Sequence, residues 1–112
     1  MALVLPLAVA VPASAAAPVA AACSSPSWVP WDSGYAFSVG GKTSPLRTGP
    51  YSGCGTRVTL PANTELDIDC RIYNTVPNLW YHVSAYVNGS RYEGWIYSAN
   101  VGAIYESNDQ WC

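Results

Sequence analysis

Four kinds of side chain in this sequence could do chemistry: one histidine, four cysteines, two closely spaced carboxylates and a heavy load of aromatic rings. His82 is the only histidine. Nucleophilic catalysis needs a base within hydrogen-bond reach of an activated Ser or Cys, and a third group to orient that base. No nucleophile motif accompanies His82, which sits in the middle of an alternating segment. It reads as a partly exposed strand histidine, and no catalytic residue is assigned. Asp67 and Asp69 share one side of a strand pattern. A hard-cation cage needs about six or more oxygens, so the two carboxylates read as a solvated face, and no metal or cofactor is expected. Asn88-Gly89-Ser90 fits a glycosylation sequon, but a tight turn accounts for it fully.

Cys23, Cys54, Cys70 and Cys112 match no zinc-ligand spacing, and thiols of an exported chain oxidise. Cys70 falls on the inward parity of its strand, and Cys54 opens the strand before it. Joining these neighbours gives Cys54–Cys70 and leaves Cys23–Cys112 to clamp the termini. On the chain-entropy model the first bridge contributes about 3 kcal/mol and the second somewhat over 4 kcal/mol. Two other connectivities are compatible with the same count of cysteines.

The aromatic residues are five Trp, eight Tyr and one Phe, all beyond residue 27. A small domain needs large rings to fill its core and cover its ends. Trp80, Trp95 and Tyr97, however, fall on the parity opposite the core residues, and Tyr51 falls in a loop. Rings so placed have surfaces suited to glycan rings and peptide backbones. The candidate ligand-binding set is therefore Tyr51, Trp80, Trp95 and Tyr97, together with Asn100. Trp28, Trp31 and Trp111 read as a satellite cluster that packs the termini onto the domain.

The elements that must hold these residues follow from the patterning. Residues 1–31 carry no Asp, Glu, Lys or Arg. The apolar run 3–11, followed by Ala13-Ser14-Ala15, reads as a secretory signal peptide over 1–17 rather than a membrane span, although no basic residue precedes it. Ala20-Ala21-Ala22-Cys23 is a degenerate lipobox. Lipidation would leave an odd cysteine, so a secreted, extracellular or wall-associated product without a stable membrane anchor is expected. Residues 18–34 are rich in Ala, Pro and Ser and read as irregular. The five basic residues are scattered singly and the net charge is −2, so the electrostatic footprint of nucleic-acid binding is missing.

Beyond residue 34 the period is two. Strands are expected at 35–39, 43–47, 56–60 and 64–73. In the last of these Leu66, Ile68, Cys70 and Ile72 point inward and Asp67, Asp69 and Arg71 outward. Residues 79–101 form two alternating segments joined by Asn88-Gly89, the strongest short-range hairpin signal. Tyr81, Val83, Ala85 and Val87 share one parity, and Trp80, His82, Ser84 and Tyr86 the other. A single helical turn is expected at 98–100, then a tail over 102–112 with a short strand at 103–105. The fold class is all-β: a small antiparallel barrel of five or six strands spanning 35–101, with two disulfides.

Leu46-Arg47-Thr48-Gly49-Pro50, Leu60-Pro61-Ala62-Asn63-Thr64, Trp80-Tyr81-His82-Val83, Asn88-Gly89, Gly94-Trp95-Ile96 and Ser98-Ala99-Asn100-Val101 occur in an order that resembles bacterial SH3-like domains. The resemblance covers about residues 35–101. It implies an SH3-like barrel that binds rather than catalyses, with peptidoglycan as partner in many exported members. The expected function is a secreted, monomeric, non-catalytic module that recognises cell-wall material through the aromatic set. The alternative is an exported inhibitor or protein-interaction module acting through the rigid tips at 75–79 and 88–92.

Overall fold

The computed structural model describes residues 23–112. The signal peptide expected over 1–17 lies outside the described residues. The alternating segments become seven strands: β1 (Tyr35–Ser38), β2 (Ser44–Arg47), β3 (Thr56–Leu60), β4 (Glu65–Tyr73), β5 (Leu79–Val87), β6 (Ser90–Tyr97) and β7 (Val101–Tyr105), with a 3-10 turn at Ser98–Asn100. They pair antiparallel in one sheet of order β3-β2-β6-β5-β4-β1-β7. The chain is thus all-β and antiparallel, but it has seven strands rather than five or six. The sheet is not closed, and β3 and β7 are its edges.

The β5–β6 ladder is its backbone. Asn88 (φ 51°) and Gly89 (φ 83°) both adopt left-handed conformations, which a two-residue hairpin turn matching strand twist requires. Pairing then runs unbroken from Val87–Ser90 to Trp80–Tyr97. Residues 90–92 therefore belong to the strand and not to a loop tip. One face of the ladder, with Tyr81, Val83, Ala85 and Ile96, packs on Leu46, Leu60, Leu66 and Ile68. Each large side chain fully buried there contributes about 1.5–3 kcal/mol.

The uniform alternation of β4 conceals a bulge. Ile68 faces Val83, but Cys70 faces His82, so Asp69 is the extra residue. Directly opposed residues share a face, so Cys70 and Ile72 lie on the side of His82 and Trp80, away from Leu66 and Ile68. The inward assignment of Cys70 and Ile72 is corrected accordingly. Beyond the bulge the free edge of β4 takes new partners. Asp32 donates its N–H to the Asp69 carbonyl at 2.8 Å, and Cys112 donates to the Arg71 carbonyl at 2.9 Å.

These contacts decide the disulfides, which are Cys23–Cys54 and Cys70–Cys112. The pairing Cys54–Cys70 with Cys23–Cys112 is overturned. β3 and β4 follow one another in the chain but stand four places apart in the sheet, at about 4.8 Å per strand. The bridges join residues 31 and 42 apart in sequence, and each contributes about 4 kcal/mol on the chain-entropy model.

β2 reaches β6 through a single paired position, Arg47 with Trp95, and Gly94 permits the approach. A Cβ on Gly94 would lie 2.6 Å from the Arg47 carbonyl oxygen and 3.2 Å from Leu46 Cγ. Because the first of these is backbone, a side chain at 94 must push β2 away. Gly94→Ala is predicted to cost about 1–3 kcal/mol, a fall in melting temperature of roughly 5–15 °C. Gly55→Ala, whose added carbon would meet Thr48 only at 3.9 Å, should melt like the parent. Thermal denaturation of the two variants side by side checks this.

Candidate binding groove

The far end of the β5–β6 ladder holds a depression of about 310 Å³. Trp80 on β5 and Tyr97 on β6 are cross-strand partners whose rings tilt against each other at 5.4 Å. Arg47 at the end of β2 and Tyr51 in the loop after it line one wall. The turn at 74–78 lines the other, and Asn100 in the 3-10 turn completes the lining.

Hydrogen bonds lock the two walls together. Buried Asn74 donates from Nδ2 to the Pro50 carbonyl at 2.6 Å, while its Oδ1 accepts from the N–H groups of Val76 (3.1 Å) and Asn78 (2.7 Å). Tyr51 Oη lies 2.8 Å from Thr75 Oγ1 and accepts the Thr75 N–H at 3.0 Å. A second depression, of about 240 Å³, adjoins the first and shares Tyr51 and Asn74 with it, extending toward Pro26 and Tyr73. The Val76–Pro77 peptide in the turn is cis.

Two donors contrast with these saturated groups. Arg47 donates from Nη1 to the Cys54 carbonyl at 2.9 Å and to Thr56 Oγ1 at 3.3 Å, with no hydrogen bond at Nε or Nη2 among the described residues. The indole N–H of Trp80 is buried and has no acceptor among the described residues. Among the described residues no Asp or Glu lines the groove.

Of the sequence-derived set, Tyr51, Trp80, Tyr97 and Asn100 come together here. Trp95 does not. It is fully buried, with its Nε1 donating to Ser25 Oγ at 3.3 Å, and it belongs to the interior. Trp80, 3 % exposed, is likewise not an outer-face ring and offers the groove little of its surface. The reason is that the second face of the ladder is itself covered. Residues 23–31, anchored by Cys23–Cys54, run across it, and Trp28 stacks on His82 at 3.9 Å. Arg47, Asn74 and Asn78 were not assigned to the site. Only the lone positive charge beside the turn-dense segment 48–53 could have pointed to Arg47.

His82 is buried, not partly exposed. Its Nδ1 lies 2.7 Å from Asp69 Oδ2, and its ring meets that of Trp95 in a T-shaped contact with centroids 5.0 Å apart. The bulge at Asp69 brings that carboxylate into reach, so only Asp67 of the aspartate pair is solvated. Among the described residues Asp69 is the only side chain hydrogen-bonded to His82, and the pair ties β4, β5 and the N-terminal strap together. The expected Trp28–Trp31–Trp111 cluster does not form: Trp31 is exposed, and Trp111 packs on Tyr73 and beneath the Arg71 guanidinium. The described residues contain no group of His, Cys, Asp or Glu able to hold a metal ion.

No family model matches the chain, and no curated protein or solved structure matches it either.

The interior position of Trp95 makes its truncation a folding defect. Trp95→Ala is predicted to lose about 3–5 kcal/mol of stability, read as a lowered urea midpoint with near-unchanged slope.

Proposed function

We propose that this chain is a non-catalytic binding module that takes an extended peptide or glycan strand in the groove, and that its ligand is cell-wall peptidoglycan. The observation that carries this reading is the groove itself, where Tyr51, Trp80, Tyr97 and Asn100 converge from three separate stretches of chain on a depression of about 310 Å³. The adjoining depression, which shares Tyr51 and Asn74, lengthens the track and suits a strand-like ligand better than a compact one. Walls already cross-linked by Asn74 and Tyr51 need little ordering when a ligand arrives, which favours affinity. The choice of peptidoglycan rests on the resemblance of the 35–101 segment to bacterial SH3-like domains, and the finer fold reading, an SH3-like barrel, rests on the same motifs. Two disulfides suit the oxidising environment of an exported protein.

Co-sedimentation with purified sacculi tests the reading. The wild-type protein should pellet, and Tyr97→Ala and Asn100→Ala should each pellet about tenfold less at equal concentration of folded protein, a loss of about 1.4 kcal/mol in binding. Wild type remaining in the supernatant, or both variants pelleting like wild type, would overturn it.

A further inference from the structure

We infer that the groove recognises a carboxylate, bound by Arg47 as the charged end of its ligand. The inference rests on the proposed groove being the binding site, and it specifies what that groove selects. Three observations lead to it.

Among the described residues Arg47 is the only cationic side chain lining the groove, and no acidic side chain lines it. This is a local excess of positive charge in a chain whose net charge is −2. Arg71 and Arg91, by contrast, are paired with Asp109 and Glu93. The guanidinium of Arg47 is also held in place. Its Nη1 is tied to the Cys54 carbonyl and Thr56 Oγ1, so the group is oriented while Nε and Nη2 are left for another partner. A planar fork fixed in this way matches the two oxygens of a carboxylate.

Two polar groups that brace the groove are already engaged with its walls. The acceptor oxygen of Asn74 is filled twice over, and the Tyr51 hydroxyl is engaged with Thr75. The Trp80 indole N–H, in a residue only 3 % exposed, has no acceptor among the described residues. A buried donor without a partner is unfavourable, and an acceptor from a ligand would satisfy it. The ligand group that meets an oriented guanidinium, with no carboxylate among the described lining residues to repel it, is an anionic oxygen pair.

A carboxylate of this kind could end a peptide or belong to a uronic sugar. The test titrates the wild-type protein, followed by nuclear magnetic resonance, with two matched pairs of probes. One pair is N-acetylglycylglycine and its C-terminal amide, and the other is glucuronate and glucuronamide. The expected result is that one acid binds at least about tenfold more tightly than its own amide and shifts the Arg47 Nε–H and Trp80 indole resonances. The pair that responds identifies the source. Arg47→Gln should abolish the acid preference, and Arg47→Lys should retain part of it. Should Arg47→Gln disturb the Cys54 loop, the acid–amide comparison in the unaltered protein still decides. Amides binding as well as acids, or neither acid shifting those resonances while the same protein pellets with sacculi, would overturn the carboxylate inference and leave the groove reading standing. Failure of both the acids and the sacculi would remove the groove reading with it.

Discussion

Burial of the β5–β6 ladder on both of its faces is the constraint on which the rest of this structure depends. A sheet this small would ordinarily cover one face and leave the other wet. Here residues 23–31 lie across the second face, tethered by Cys23–Cys54, with Trp28 stacked on His82 and Ser25 accepting from Trp95. A domain of about this length buries only some two-thirds of its unfolded surface, so a second internal layer adds a large share of its cohesion. The Asp69 bulge belongs to the same layer, because it brings the Asp69 carboxylate to His82 and places Cys70 on the covered side.

The clamp also shapes the groove. Cys54 lies in the loop between β2 and β3, where its carbonyl accepts from Arg47 and its N–H donates to the Tyr51 carbonyl. The bridge that fastens the strap therefore also holds the wall bearing Tyr51 and Arg47. On the opposite wall Asn74 joins the turn at 74–78 to Pro50. Asn74 and Tyr51 brace the depression through hydrogen bonds between its walls, whereas the Arg47 fork and the Trp80 indole keep donors without partners among the described residues. The braced walls support the proposed binding, and the Arg47 fork supports the carboxylate inference.

Much of the fold was legible because strand signals are local. Alternation and the Asn88-Gly89 turn located the strands to within about two residues, apart from the start of β6, which was read as loop tip, and Ser98-Ala99-Asn100 is the short turn its residues suggest. The errors share a cause, since each depended on non-local packing. The alternation Leu66-Ile68-Cys70-Ile72 continues straight through a bulge, since the added residue changes the partner and not the local pattern. Cys54 and Cys70 flank consecutive strands, but sheet order separates them. Parity put Trp80 and Trp95 correctly on the face opposite the core, yet parity cannot say what covers a face. The covering segment reads as irregular because it forms no strand, and its tryptophan and cysteine were the only signs that it is packed. Within the site the rings were visible as candidates, while Arg47 and Asn74 act through hydrogen bonds between distant segments that no local pattern encodes.

The central claim is that ligand engages the groove formed by Arg47, Tyr51, Trp80, Tyr97 and Asn100. Backbone and indole chemical-shift mapping of the isotope-labelled protein with solubilised peptidoglycan fragments tests it most directly. The account predicts that the largest perturbations fall at residues 45–52, 74–80 and 97–100 and at the Trp80 indole, with the strands β1 and β7 silent. Perturbations centred instead on the exposed rings of Phe37, Tyr86 and Tyr105, with the groove unmoved, would contradict it.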